Sequence, residues 1–218
     1  MDYADARKRM VDGQLRPNKV TDPRLLEAMR DLPRERFLPP AAIPRAYTDE
    51  DIPLPGGRAM IEPMVLARLV QLAAVRPGDR ALIAGAGTGY GAAVLARMGA
   101  RVTALEADAP LLEIARAALP ACLPAGTVRL EAADPAQGFA AAAPYDIVMI
   151  EGEIPEIPPA FAEQLAEGGR LVAVIGIGRR QGKAVLGRKL GGSLTTVTAF
   201  DCATAALPAF AHRPGFVF

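Results

Sequence analysis

The sequence predicts an α/β fold with a doubly wound, mostly parallel sheet, closed by a C-terminal antiparallel hairpin and preceded by a helical N-terminal cap. Three observations carry this. Between Ala81 and Asp108 the chain reads strand, glycine turn, helix, strand, acid. Beyond it, short apolar runs alternate with helical runs, the pattern of parallel strands joined by crossover helices. Near the end, Lys183–Leu190 and Ser193–Phe200 flank Gly191-Gly192. No helix separates them to make a parallel crossover, so they form a hairpin and run antiparallel.

Residues 1–62 are rich in Arg, Asp and Pro, with helical patches at Ala4–Leu15 and Pro23–Leu32. They are expected to form a cap within the same domain as a core spanning 63–218. Pro63 suits the first turn of a helix, and Leu66, Leu69, Val70 and Ala73 follow at helical spacing. Ala81–Ala84 is a strand, Gly85, Gly87 and Gly89 make the turn, and Ala92–Met98 is a helix with Gly99 at its C-terminal cap. Val102–Leu105 is the next strand, closed by Glu106. A helix at Pro110–Leu119, a strand at Thr127–Glu131, a strand at Tyr145–Glu151, a helix at Pro158–Leu165 and a strand at Arg170–Gly176 complete the core.

Composition bounds the function. A chain of 218 residues, 51% hydrophobic, can bury the core of one α/β domain. A net charge of +1 gives no electrostatic case for nucleic acid or an acidic membrane. Arg179-Arg180, near Lys183, reads as a solvated loop. Cys122, Cys202 and the single His212 supply neither a disulfide framework nor metal spacing, so no metal, Cys–His pair or Ser–His triad is expected. The opening MDYADARKRMVDGQL lacks the apolar stretch of a secretory signal. No run reaches the ~18 apolar residues of a membrane span. The expectation is a cytoplasmic, reduced protein, monomeric or a small homo-oligomer.

The glycine turn carries the chemistry. Without a Cβ, backbone N–H groups come close to a ligand, and an acid at the end of the following strand can accept from both hydroxyls of a ribose. The unit suits an adenosine-containing cofactor; the bland alternative is a tight turn with close helix packing. Dinucleotide sites favour G-x-G-x-x-G/A, into which Gly87, Gly89 and Ala92 can be forced. The G-x-G-x-G spacing seen here is common at S-adenosylmethionine sites. The closing hairpin also favours a methyltransferase over a nicotinamide-dependent oxidoreductase.

The segments MVDGQL, DPRLLEAMRDLPRERFLPP and AYTDEDIPLPGG precede GAGTGYGAAVLARMGARVTALE in order, and PYDIV and QLAEGGRLVAVIG follow. Together they resemble the protein-L-isoaspartate O-methyltransferase family, over nearly the whole chain to about residue 200. The resemblance implies a Rossmann-like fold and methyl transfer from S-adenosyl-L-methionine to the free carboxylate of isoaspartyl residues in damaged proteins or peptides. It places Gly85, Ala86, Gly87, Thr88 and Gly89 along the methionine part of the cofactor. Glu106, followed by Ala107, falls at the ribose. Asp134 falls at the adenine, unless it is a loop acid, since Pro135 replaces the family's second glycine there.

The sequence departs from the family at three places. The family's acid two residues before the first glycine is Ile83 here, leaving Glu151 or Glu153 as substitute partners for the cofactor ammonium. The substrate loop reads Ala59, Met60, Ile61, Glu62, with Ile61 at the family's catalytic serine, so no catalytic residue is assigned. The tail FDCATAALPAF follows no family ending, and that region can close over the site. A catalytically silent binding protein, or an enzyme for another carboxylate, stays open beside the repair activity.

Overall fold

The computed structural model describes residues 2–176 and 181–211. Helices α1 (Tyr3–Met10) and α2 (Pro23–Asp31) open the chain. A two-stranded ribbon, β1 (Ile52–Pro53) and β2 (Ala59–Met60), leads into α3 (Pro63–Ala73). The core continues β3 (Arg80–Ala84), α4 (Tyr90–Arg97), β4 (Arg101–Glu106), α5 (Ala109–Cys122) and β5 (Val128–Ala132). It ends with β6 (Tyr145–Ile154), α6 (Pro159–Gln164), β7 (Leu165–Ile175), β8 (Gly182–Leu190) and β9 (Ser193–Cys202).

Seven strands form one sheet in the order β5-β4-β3-β6-β7-β8-β9. The strands β5 to β7 pair in parallel, whereas β8 is antiparallel to both β7 and β9. The chain winds outward from β3 through β4 to β5, then returns to β3's other side with β6. Strand order thus reverses between β3 and β6, and their C-terminal ends bound the crevice where open α/β sheets bind ligands.

Local chemistry sets the element ends. Asp22 and Asp108 cap α2 and α5, accepting from Arg24 N and Leu111 N. Proline occupies the first turn of α2, α3 and α5, where its missing N–H leaves no helical bond unmade. One face of the sheet joins a core holding Met10, Leu25 and Phe37 of the N-terminal segment beside Val65, Ile83, Tyr90 and Met149. The other face packs Leu82, Leu105, Ile150 and Phe161 with Leu207 and Phe210 of the tail.

Several boundaries differ from the sequence reading. The helix expected over Ala4–Leu15 is α-helical only to Met10; Val11–Leu15 is a widened π turn containing Gly13, a poor helix former. The helix ends at Gln164, and Leu165 already pairs with Tyr145 in the sheet, although Ala166–Gly169 read as a loop. β6 extends to Ile154, past the expected Glu151, because Glu153 and Ile154 continue its pairing with Val174 and Ile175 of β7; the tail adds a parallel bridge between Glu153 and Ala206. Arg179, Arg180 and His212 lie outside the described residues.

Arg170 locks the N-terminal end of the sheet. Its guanidinium donates to the carbonyls of Ala73, Ala74 and Asp146 and reaches Asp79 Oδ2 at 2.6 Å. Ala74 ends α3 with a positive φ of 47°, and the arginine ties down that turn. Arg170→Met should cost about 1–3 kcal/mol in denaturant unfolding, because it removes the ion pair to the partly buried Asp79 and a donor from three carbonyls. A midpoint within experimental error of wild type would refute this role.

Candidate functional site

The glycine turn and Glu106 meet at the switch point. Gly85, Gly87 and Gly89 have φ of 75°, 56° and 92°, a region that other residues adopt only under strain. Gly85 N and Ala86 N both donate to Leu105 O, at 3.0 and 2.9 Å, folding the turn back over the end of β4. Gly89 is the N-cap of α4, Ala86 and Thr88 are buried, and Glu106 is 1% exposed. Glu106 Oε2 accepts from Gly87 N at 2.7 Å, and Oε1 accepts from Ala107 N and Asp108 N at 2.9 and 3.0 Å.

A residue outside the expected set completes this arrangement. Arg58, 8% exposed, donates from Nη1 to both Glu106 oxygens at 2.9 and 2.8 Å and from Nη2 to Gly85 O at 2.8 Å. It lies in the loop between β1 and β2, after the Gly56-Gly57 turn. With Arg58 and three amides on it, Glu106 has spent the roughly four acceptor sites of a carboxylate. The tail fills the rest. A Cβ built on Gly85 would lie 3.1 Å from both Leu207 methyl carbons, and one on Gly152 would lie 2.5 Å from Leu207 Cγ.

The residue types therefore fit an adenosine cofactor. The close approach that the glycines permit is taken by Leu207 and Arg58. The cavity left beside Glu106 has about 270 Å³, lined by Gly56, Arg58, Asp108, Pro135, Pro208 and Ala209 among others. Ligand sites usually offer ~300–1,000 Å³. Asp134 is exposed at the end of β5 and caps a short 3₁₀ turn, its Oδ1 accepting from Ala136 N at 2.9 Å. The neighbouring Pro135, not Asp134, lines the cavity.

The substrate loop is held from behind. Arg34, fully buried, donates to Ala46 O at 2.9 Å and to Ile61 O at 2.6 Å. Ala59 and Met60 form β2, and the Ile61 side chain is 1% exposed in the core. Glu62 faces a separate cavity of about 440 Å³ with Glu50, Asp51, Glu153 and the tail segment 203–206. Burial, then the charges of Asp49 and Asp51, raises Glu62 to about 7. A hydroxyl does reach this cavity, but from far along the chain: Thr204 Oγ1 donates to Asp51 Oδ2 at 2.7 Å.

Ile83 is a core residue of β3, paired with Met149 of β6. Glu151 lies two residues beyond Met149, hence on the same sheet face. It is 7% exposed, its Oε2 has no hydrogen-bond partner among the described residues, and that oxygen would sit 2.3 Å from a Cβ on Gly91, in the first turn of α4. Burial pushes its carboxyl up to about 8, against the opposing pull of Arg58 and Arg34. A neutral acid is the cheaper form of an unpartnered buried carboxyl. Glu153 is also buried, its backbone engaged with the tail. Arg58, Arg34, Thr204 and Leu207 are not individually legible as site residues, since each arrives through tertiary packing; the PLPGG run before Arg58 and the divergent tail holding Thr204 and Leu207 are the local signals.

Among the described residues, no group of three or more His, Cys, Asp or Glu could hold a metal, and no helix is long and apolar enough to cross a membrane. Comparison with known proteins gives a consistent result. The protein-L-isoaspartate(D-aspartate) O-methyltransferase family matches residues 6–205. The protein-L-isoaspartate O-methyltransferase of Koribacter versatilis is 38% identical over 200 residues, covering 92% of this chain and 89% of that protein. That of Methylorubrum extorquens strain PA1 is 44% identical over 175 residues, covering 80% and 76%. A solved protein-L-isoaspartate O-methyltransferase superposes with a TM-score of 0.79 at 26% identity, covering 92% of this chain and 65% of that one. A Plasmodium falciparum structure in complex with S-adenosyl-L-homocysteine shares the fold, with a TM-score of 0.80 at 18% identity over 93% of this chain and 98% of that one.

Glu151 makes stability depend on pH. The unfolded chain releases this proton near 4.5 and the folded chain near 8, so between them the folded state holds an extra proton and stability falls as pH rises. The loss should be on the order of 3–5 kcal/mol across that window. Glu151→Gln, which cannot ionise, should flatten the profile in urea titrations from pH 5 to 9. An unchanged slope would show that Glu151 is charged in the folded protein.

Proposed function

Because the chain belongs to the protein-L-isoaspartate O-methyltransferase family, we propose that it is an S-adenosylmethionine-dependent carboxyl methyltransferase acting on isoaspartyl residues of damaged proteins. The observation that carries the site assignment is the convergence of the glycine turn on Glu106, with Gly87 N at 2.7 Å from its carboxylate. When bound, the cofactor supplies an electrophilic methyl group on a sulfonium. Gly85, Ala86, Gly87, Thr88 and Gly89 would line its methionine part, Glu106 and Ala107 its ribose, and Pro135 its adenine, with Asp134 beside the cavity and not lining it.

The acceptor is a carboxylate, ionised near neutral pH without a general base. The protein's task is to desolvate and aim it. Ile61 offers no hydroxyl for this and is turned into the core. Support for the acceptor's position comes from the cavity bounded by Glu62 and Thr204, which opens beside the loop and the end of β6. Its acids oppose an anionic guest, and Glu62 near 7 makes that opposition depend on pH.

Two outcomes follow. Calorimetric titration should show S-adenosyl-L-homocysteine binding, weakened about ten- to a hundred-fold by Glu106→Ala, with release of methyl ester from an isoaspartyl peptide abolished in parallel. Binding unaffected by Glu106→Ala would refute the ribose assignment. The KM for the peptide should rise as pH increases through 7 and Glu62 becomes charged. Glu62→Gln should remove that rise and lower KM at pH 8 on the order of fivefold; a wild-type pH profile in the variant would exclude Glu62 from the acceptor site.

A further inference from the structure

Glu151 is a buried acid that follows an apolar stretch of β6. Residues 147–150 before it are fully buried, and Glu151 itself is 7% exposed. Buried polar atoms in folded proteins are almost always paired, because an unpaired one forfeits its hydration without return. Glu151 Oε2 nevertheless has no hydrogen-bond partner among the described residues. Strand register shows what it faces. Ala84 at the end of β3 pairs with Ile150, so Glu151 is the next residue along, level with Gly85 of the glycine turn. It lies on the same sheet face as Met149 and its partner Ile83, whose side chain has no polar atom.

Gly91 gives the carboxyl its space. It stands in the first turn of α4 and is not among the glycines with positive φ, so the backbone there does not require a glycine. Glycine also weakens a helix relative to alanine. A Cβ on Gly91, however, would lie 2.3 Å from Glu151 Oε2 and 2.8 Å from its Cδ. Charged groups act on Glu151 from three other elements: Arg58 from the loop between β1 and β2, Arg34 from the 3₁₀ turn Arg34–Phe37, and Glu106 from the end of β4. From α4, Tyr90 is buried beside Gly91, with the Arg34 guanidinium 4.9 Å from its ring centre. While Glu151 is protonated, the two guanidiniums outnumber the Glu106 carboxylate and the cluster is positive. Exchanging the Glu151 proton for an ammonium group leaves that charge unchanged, and it gives the ionised acid the partner a buried charge requires.

We propose that Glu151 is the acid that holds the α-ammonium of S-adenosylmethionine, and that cofactor binding exchanges the Glu151 proton for that ammonium. The inference rests on the cofactor reading above and names the group that takes the cofactor's cationic end. The displaced proton goes to solvent. Burial keeps the free carboxyl protonated up to about 8. Below that pH each binding event releases a proton, so cofactor affinity rises with pH and levels off once free Glu151 ionises unaided.

Full-length wild type and Glu151→Gln should be titrated by calorimetry with S-adenosyl-L-homocysteine and with methylthioadenosine, which keeps the adenosine and thioether but lacks the amino-acid end. Parallel titrations at pH 7 in phosphate and in Tris count the protons released. Wild type should release about one proton per S-adenosyl-L-homocysteine and close to none with methylthioadenosine. At pH 8, Glu151→Gln should weaken S-adenosyl-L-homocysteine about tenfold, abolish the proton release, and bind methylthioadenosine within about twofold of wild type. The second ligand thereby reports that the variant's adenosine site is folded. Equal weakening of both ligands would overturn the ammonium site, because Glu151 would then support the pocket as a whole. Unchanged S-adenosyl-L-homocysteine binding in the variant would also overturn it and leave the cofactor reading intact. Failure of wild type to bind S-adenosyl-L-homocysteine would overturn both.

Discussion

One carboxylate organises the functional end of this molecule. Glu106 sits at the C-terminal end of β4, 1% exposed, where it accepts from three backbone amides and from the guanidinium of Arg58. The amides of Gly87, Ala107 and Asp108 belong to two different βα turns, so the same acid fixes the glycine turn before α4 and the start of α5. A buried charge without partners would be prohibitively costly; here every lone pair is matched. The parallel order β5-β4-β3-β6 brings those turns together, and the short strands β1 and β2 present Arg58 to them.

The arrangement has two possible occupants for one set of donors and acceptors. Glycines that allow close approach do not specify what approaches. In the conformation described, Gly85 lies against Leu207 and Arg58, and the Glu106 carboxylate holds an arginine. A buried ion pair is weak evidence for stability in itself, since desolvation offsets much of its attraction. That near-balance suits an exchangeable partner. Hydroxyls that take Arg58's place must match its hydrogen bonds, and the released guanidinium regains solvent.

The parts of the candidate site that lie within one βαβ unit are legible in the sequence. Gly85, Gly87, Gly89 and Glu106 are 21 residues apart at most, and their spacing carries the strand–turn–helix–strand geometry directly. The hairpin was readable for the same reason, through Gly191-Gly192 between two extended runs. What escaped was nonlocal. Arg58 lies 48 residues from Glu106, and Thr204 lies 153 residues from Asp51. Neither partnership leaves a periodicity or a motif. The divergent tail was recognisable as different, but its path back along β6 depends on Gly152, whose role is visible only beside Leu207. Ile61 illustrates the converse: its position in the loop was legible, while its burial in the core was not.

On the proposed cofactor reading, Glu106 passes from Arg58 to the cofactor. A crystal structure of the full-length protein saturated with S-adenosyl-L-homocysteine tests this most directly. The expected result is ribose hydroxyls within hydrogen-bond distance of Glu106 and Arg58 withdrawn from it. An intact Arg58–Glu106 pair beneath a bound ligand would contradict it.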